Sequence, residues 1–175
     1  MISMRSTRLT LSGDCKKDWD NVATPTHLIN TGQSDMYIGP HETVDDFEAE
    51  LRALDGGVNC AISLSKLPRP GWSGDFSSSE LFALKSFYVQ AAGRAEEMTI
   101  EIRKAVDASV AQFVVGLPPA SSQSEHPEVH IKIGDHGTMV YSNEVFDAQS
   151  GAQVFFEYYL TGEISSKYSL RRIEV

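Results

Sequence analysis

The sequence predicts an α+β fold, with a mostly antiparallel sheet of about six to eight strands and two main helices at about 43–54 and 147–161. Several short segments alternate between apolar and polar residues, which is typical of strands with one buried face. Short turns join these segments, as in sequential hairpins. Two other segments repeat apolar residues at helical spacing. With 175 residues, 41% of them hydrophobic, the chain is predicted to form a single domain around one core.

The first helix is predicted in the segment TVDDFEAELRALDGG. Thr43 can cap its N-terminus, and acidic residues in the first turn suit the positive end of the helix dipole. Gly56 or Gly57 is expected to end it. The preceding segments TRLTL, at 7–11, and DMYIG, at 35–39, are predicted to be short strands. The core stripe of the helix consists of Val44, Phe47, Leu51 and Leu54.

A buried strand is predicted next in VNCAISLSK, with Cys60 in the core. The loop LPRPGWSGDFSSS, which contains two prolines and two aromatic residues, ends that strand. Trp72 and Phe76 in this loop either fold back over the core or stand exposed as anchors for a partner. Helix and strand propensities compete over residues 80–92, and we predict a strand over 84–92.

Further hairpins and a closing helix complete the predicted fold. EMTIEIRK alternates strictly, so one face of this strand should be buried and the other wet, and AQFVVG should pair with it. VHIKIGDHGTMVYS has the pattern of a second hairpin, with GDHG at its turn. Asp147 can cap the last helix and Gly162 can end it. YSLRRIEV follows as a strand whose apolar residues are out of phase, which predicts a bulge or an edge strand. The core stripe of the last helix is Ala148, Ala152, Phe155, Phe156 and Tyr159.

Negative charge is concentrated in the N-terminal third of the chain. The whole sequence has a formal net charge of −9, and residues 14–55 alone contain ten acidic and three basic residues. This balance disfavours binding to nucleic acid or to anionic membranes and favours a basic protein partner. The sequence contains no apolar run typical of a signal peptide or a membrane span, so we expect a cytoplasmic protein. Cys15 and Cys60 fit no metal or redox spacing and are expected to be reduced thiols.

The sequence contains no recognisable catalytic or metal-binding motif. GWSGD is one residue short of the G-x-S-x-G elbow that presents a nucleophilic serine, so Ser73 is expected to be a turn residue. HPEVHIKIGDH contains three histidines and a glutamate. On a strand, however, a rise of about 3.3 Å per residue would separate His126 from His130 by roughly 13 Å, too far for one metal ion. We therefore expect a non-enzymatic protein with no catalytic residue, metal or cofactor.

Two surfaces are predicted to bind the partner. The first is the acidic part of the first helix, because carboxylates steer a basic protein into contact. The second is the proline-rich loop, because aromatic anchors within a charged rim are typical of interface hot spots. The predicted contact residues are Asp45, Asp46, Glu48 and Glu50 on the helix and Trp72, Asp75 and Phe76 in the loop.

The chain contains, in order, the helix TVDDFEAELRAL, the strands NCAISL and MTIEIR, and the closing segment FDAQSGAQVFFEYYLTGEISSKYSLRRIEV, with Thr161 and Gly162 at the turn after its helix. In this order it resembles the Imm-one family of immunity proteins from bacterial polymorphic toxin systems. The resemblance covers about residues 40–175, so residues 1–39 would be an N-terminal extension.

This resemblance implies a cytosolic, non-enzymatic protein that neutralises a cognate toxin by occluding its active site, and the toxin often acts on nucleic acid. The alternative expectation is a small-ligand binding or sensory module. In that case the sheet face would form the pocket and the proline-rich loop would be its lid.

Overall fold

The protein has the predicted α+β architecture, built on antiparallel strands. A computed structural model describes residues 23–119 and 124–174. The strands are β1 His27–Asn30, β2 Asp35–Ile38, β3 Ala61–Lys66, β4 Tyr88–Arg94, β5 Glu97–Val106, β6 Ser109–Gly116, β7 Val129–Ile133, β8 His136–Val140, β9 Val145–Phe146 and β10 Ser169–Ile173. The helices are α1 Val44–Leu51, α2 Ser78–Leu84 and α3 Ala148–Thr161.

The main sheet has the strand order β10-β6-β5-β4-β3-β1-β2, and β9 pairs with the start of β5. Every pairing in it is antiparallel. The predicted pairing of β5 with β6 is confirmed, and so is the hairpin β7–β8, which forms a separate two-stranded sheet. β10 lies at the edge of the main sheet, which agrees with its irregular apolar pattern.

The N-caps predicted for the two main helices are confirmed, with one difference in detail. The predicted end of the first helix is wrong: α1 ends at Leu51, with Arg52 in the right-handed conformation as its C-cap, and not at Gly56 or Gly57. At α1, Thr43 does not accept a hydrogen bond through its hydroxyl group; its N–H and its Oγ1 both donate to Asp46 Oδ2, at 2.9 and 2.7 Å. At α3, Asp147 Oδ1 accepts a hydrogen bond from the Ser150 N–H at 2.8 Å. α3 ends at Gly162, whose φ of 75° is the left-handed conformation that glycine adopts at little cost.

α1 and α3 pack against each other on one face of the main sheet. The Phe47 ring of α1 lies 5.4 Å from the Tyr159 ring of α3, measured between centroids. Beneath the helices, the alternating residues Met98, Ile100 and Ile102 of β5 are fully buried. The main core therefore lies between this face and the two helices.

α2 and the loop before it cover the opposite face of the sheet. On β1, Ile29 points into the main core, whereas its neighbour Leu28 packs on a second, smaller cluster. That cluster contains Phe76 from the loop and Leu84 from α2. Because successive side chains of a strand point to opposite faces, the acidic helix α1 and the aromatic loop lie on opposite sides of the sheet.

Three other local predictions are wrong. Residues 84–87 are not in a strand, because α2 extends to Leu84 and β4 begins at Tyr88. Cys60 is half-buried and not in the core, because β3 begins only at the next residue. The outward face of β5 is not uniformly wet: Thr99 is only 1% exposed and Glu101 is half-buried.

Part of the segment expected to be an N-terminal extension belongs to the sheet. β1 and β2 fall within residues 27–38, and Ile29, Met36 and Ile38 contribute to the main core. The strand predicted over 7–11 and the residue Cys15 lie outside the described residues.

Candidate functional site

The four predicted carboxylates of α1 do not share one face. At about 100° per residue, Asp46 and Glu50 lie on one flank of the helix, Glu48 lies on the other, and Asp45 points outward between them. Glu48 Oε1 accepts hydrogen bonds from Arg52 Nε and Nη2, at 2.9 and 2.5 Å. Asp45 is exposed and Glu50 is half-buried. The Asp46 carboxylate accepts the hydrogen bonds of Thr43 at the helix N-terminus. The four residues therefore have different surroundings.

Strong negative charge nevertheless surrounds α1. Residues 23–62 contain seven acidic residues and a single Lys or Arg, which is Arg52. Two of the acids outside the helix accept hydrogen bonds from neutral donors: Asp35 from Asn30 Nδ2 at 2.6 Å, and Asp55 from the N–H groups of Gly57 and Asn59 at 2.7 and 3.0 Å. Neutral donors stabilise a carboxylate but do not cancel its charge. The segment that contains α1 therefore has a net negative charge.

A cavity of about 240 Å³ with both polar and apolar walls opens beside this segment. Its lining comes from the turn between β1 and β2, the end of α1 and the start of β3. Among the described residues that line it, Glu50 carries a charge, and Thr31, Gln33, Ser34 and Asn59 add hydroxyl and amide groups. The Gln33 amide donates to Asn59 Oδ1 at 3.2 Å, which joins the turn to the start of β3.

The proline-rich loop folds back on the protein. Phe76 is only 8% exposed, which confirms the packed alternative for this residue and removes it as an exposed anchor. The guanidinium group of Arg69 lies over its ring, 4.9 Å from the centroid. Trp72 is half-buried, and its backbone N–H donates to Asp75 Oδ2 at 2.7 Å. The exposed carboxylate of Asp75 therefore stabilises the turn of its own loop.

The two predicted surfaces cannot act as one flat interface, because they lie on opposite faces of the sheet. Nor does the loop cover the cavity as a lid. The loop packs beside the start of β1, where the Gly71 N–H donates to Pro25 O at 3.0 Å. The cavity lies at the other end of the strand, beside the turn after Asn30. The sheet face that the loop does cover is occupied by the apolar side chains of the second cluster.

A polar cluster on the sheet face opposite α3 was missed in the sequence. Its centre is Glu144, only 3% exposed, which accepts hydrogen bonds from Arg171 Nε and Nη2 at 2.6 and 2.8 Å. These hydrogen bonds raise the pKa of Arg171. Nearby, Gln112 Nε2 donates to Glu101 Oε2 at 2.5 Å, and burial raises the pKa of Glu101. This cluster pairs its own charges, so it is better suited to holding β10 than to binding a charged partner.

Within the described residues, no three His, Cys, Asp or Glu side chains are placed to hold a metal ion. His130 and His136 lie on the two strands of the β7–β8 hairpin, but they are not opposite each other: His130 pairs with Met139 and His136 with Ile133. Over residues 23–119 and 124–174, no helix is both long enough and apolar enough to cross a bilayer.

Comparison of the chain with protein-family models, with curated protein sequences and with solved structures finds no match. The acidic region and its cavity are therefore the features of the molecule that bear on its function.

Proposed function

We propose that this protein is a non-enzymatic immunity protein of the cytoplasm, which binds a basic toxin protein and blocks its active site. The observation that carries this proposal is the charge of residues 23–62, with seven acidic residues and one basic residue. Toxins that act on nucleic acid need positively charged clefts for the phosphate backbone. An electronegative surface that fits such a cleft gains rapid association through electrostatic steering.

The position of the charge supports a role in binding. Asp45 points outward from α1 and is exposed, so its carboxylate lies where an approaching protein can contact it. The sheet-face cluster pairs its charges internally, and the aromatic loop is folded on its own core. The α1 region is therefore the favoured contact surface, and the loop residues Trp72 and Asp75 are secondary candidates at most.

The test is complex formation with the product of the adjacent gene. The two proteins should co-purify as a stoichiometric complex, and this chain should suppress the toxic activity of its partner. The variant Asp45→Lys should slow association several-fold at low salt, because it reverses an exposed charge on the steering surface. Association rates from stopped-flow or surface binding measure the effect, and the difference should shrink at high salt.

The matched control is Glu174→Lys, which makes the same change of charge just beyond β10. That edge of the sheet is five or six strand spacings from β1 and β2, roughly 25–30 Å at about 4.8 Å per strand. Equal slowing in both variants would show that only net charge matters, and absence of a complex with the neighbouring product would remove the immunity proposal.

A small-ligand binding function receives less support from the geometry. The cavity of about 240 Å³ lies below the roughly 300–1,000 Å³ that pockets for drug-sized ligands occupy. Its size suits a single side chain better than a whole metabolite.

A further inference from the structure

Three turns meet beside the start of β3 and are joined by hydrogen bonds. They are the β1–β2 turn at 31–34, the loop at 55–59 and the β7–β8 turn at 134–135. The Gln33 side-chain amide donates to Val58 O at 3.4 Å, and the Gly134 N–H donates to Gly56 O at 3.0 Å. The loop at 55–59 is therefore attached to both of the other turns. Together these three turns form the turn cluster.

The loop at 55–59 is also closed on itself and presents an apolar side chain. The Asp55 N–H donates to Asn59 O at 2.9 Å, and Asp55 Oδ1 accepts hydrogen bonds from two N–H groups of the loop. Val58 is 77% exposed, the largest fraction among the large hydrophobic residues that the structure describes. Single exposed apolar residues are ordinary, but this one is held by hydrogen bonds within its loop and to two neighbouring turns. A rigid apolar group has little freedom to lose on binding, as an interface anchor requires.

The surroundings of Val58 carry a net negative charge. Three exposed acids belong to the turn cluster or adjoin it: Asp35, Asp55 and Asp135. Neutral donors position the carboxylates of Asp35 and Asp55 without cancelling their charge. Two bases lie nearby: Lys132 on β7, and Arg94, which pairs with Glu97 at 3.0 Å. An apolar anchor within an acidic rim suits a partner with a basic surface.

The other highly exposed hydrophobic residue suits such a partner less well. Phe82 on α2 is 74% exposed, but Lys85 lies one helical turn further on and is exposed as well. A positive charge beside the anchor would repel a basic surface. Charge therefore favours Val58 over Phe82 as the anchor.

We propose that the turn cluster is part of the surface that binds the basic protein partner, with the Val58 side chain buried in an apolar depression of that partner. This inference rests on the proposed function and names the anchor of the interface. The loop at 55–59 follows shortly after α1, a helix about 12 Å long. A standard interface is roughly 30 Å across. One contact surface can therefore include both Asp45, at the start of α1, and Val58.

The first experiment measures binding kinetics with the product of the adjacent gene. Val58→Ser should weaken the complex roughly 10- to 100-fold, the range for losing a buried valine side chain. The change should appear mainly as faster dissociation, because no charge is altered. Thermal unfolding should be nearly unchanged, since the side chain is exposed in the free protein.

Val110→Ser is the matched control for this experiment. Val110 is 43% exposed and pairs with Ala105 near the end of β5, whereas the turn cluster adjoins Arg94, beside the start of that strand. At about 3.3 Å per residue, the length of β5 separates the two valines by roughly 25 Å. Val110→Ser should therefore leave the complex unchanged.

The second experiment removes a hydrogen-bonded attachment and leaves Val58 in place. Gln33→Ala deletes the hydrogen bonds to Val58 O and to Asn59 Oδ1, at 3.4 and 3.2 Å. It should speed amide hydrogen exchange at 57–59 in the free protein and weaken the complex several-fold, because the loop must then be ordered on binding. Gln153→Ala makes the same change at an exposed position of α3 and should do neither. Equal affinities for the two variants would contradict the role of the attachment.

Hydrogen exchange of the complex locates the contact directly. Amides at 56–59 and 134–136 should be protected, and those of the β5–β6 turn should not. A complex that Val58→Ser and Val110→Ser form equally well would overturn the inference and leave the immunity function standing. Absence of any complex would remove the proposed function and the inference with it. Self-association of the chain through Val58 would identify a second copy as the occupant and would also overturn the inference.

Discussion

His27 is a buried histidine that the structure keeps neutral. It is 4% exposed, and its ring lies 4.5 Å from that of Tyr159, between centroids. Its Nδ1 is 2.9 Å from Thr26 Oγ1, and within the described residues its Nε2 has no hydrogen-bond partner. Burial, with a smaller contribution from the positive charge of Lys66, lowers the pKa of His27 from 6.5 to about 4. Protonation of this ring is therefore coupled to unfolding.

The pH dependence of stability should show this coupling. Because the folded pKa is the lower one, the contribution of His27 is complete above pH 6.5 and is lost as the pH falls towards 4. The loss is about 1.4 kcal/mol per pH unit, or roughly 3 kcal/mol over this window. In urea unfolding between pH 7 and 5, His27→Phe should have a flatter pH dependence than the wild type. His136→Gln, at the exposed start of β8, should not, and equal slopes in all three proteins would contradict the assignment.

At the scale of elements, the edge strand β10 is held by an ion pair in which the Glu144 carboxylate is buried and the Arg171 side chain is 36% exposed. Glu144 precedes β9, and its carboxylate accepts hydrogen bonds from both Nε and Nη2 of Arg171 on β10. The same carboxylate accepts a hydrogen bond from the Tyr141 N–H at 3.0 Å. The pair links the short turn before β9 to the last strand. Losing one partner would leave a buried charge without compensation.

We expect Arg171→Leu to lower the free energy of unfolding by about 2 kcal/mol, because the buried carboxylate of Glu144 loses its partner; this is less than for a fully buried pair, since Arg171 is partly solvated. Adding Glu144→Gln to this variant should recover part of the loss, since the uncompensated charge is then removed. Arg172→Leu is the control, because its side chain is exposed on the same strand. Urea unfolding at pH 7 measures all four proteins. Similar losses for Arg171→Leu and Arg172→Leu would show that the pair contributes no more than a surface contact.

Elements with strong local signals were predictable from the sequence, and those without them were not. Asp147 caps the start of α3 and Gly162 ends it, and both act on residues only a few positions away. Both ends of this helix were therefore predicted correctly. α2 has such a signal too: Ser77 and Glu80 form a capping box, with the Ser77 N–H donating to Glu80 Oε2 at 2.8 Å. The strand propensity of the following segment SFYV outweighed this capping box in the sequence-based prediction. β1 has only four residues, and its pairing with β2 and β3 supplies the stability that its sequence does not show.

The candidate site, too, could be predicted from the sequence only in part. The acidity of residues 23–62 is visible in the sequence, whereas the cavity is not, because three segments separated along the chain form its walls. The alternation of β5 placed Glu101 on the outer face but could not show that Gln112 bonds to it from β6. Side-chain direction follows from local geometry, but burial depends on which elements pack on that side.

At the scale of the whole molecule, the net charge of −9 is distributed unevenly. α1 lies within the acidic segment and packs on α3, so repulsion among these carboxylates acts on an element that the core needs. A partner of opposite charge would relieve that repulsion on binding. In the free protein, dissolved salt should do so in part.

We therefore expect stability to increase when NaCl is raised from 0.01 to 0.15 M, because the Debye length falls from about 30 to about 8 Å. Asp45→Lys should reduce this salt dependence, since it places a positive charge among the acids of residues 23–62. Glu174→Lys changes the net charge equally but lies beyond the far edge of the sheet, so it should leave more of the salt dependence in place. Urea midpoints at the two salt concentrations measure the effect. Equal reduction in both variants would mean that the repulsion is spread over the molecule and is not centred on α1.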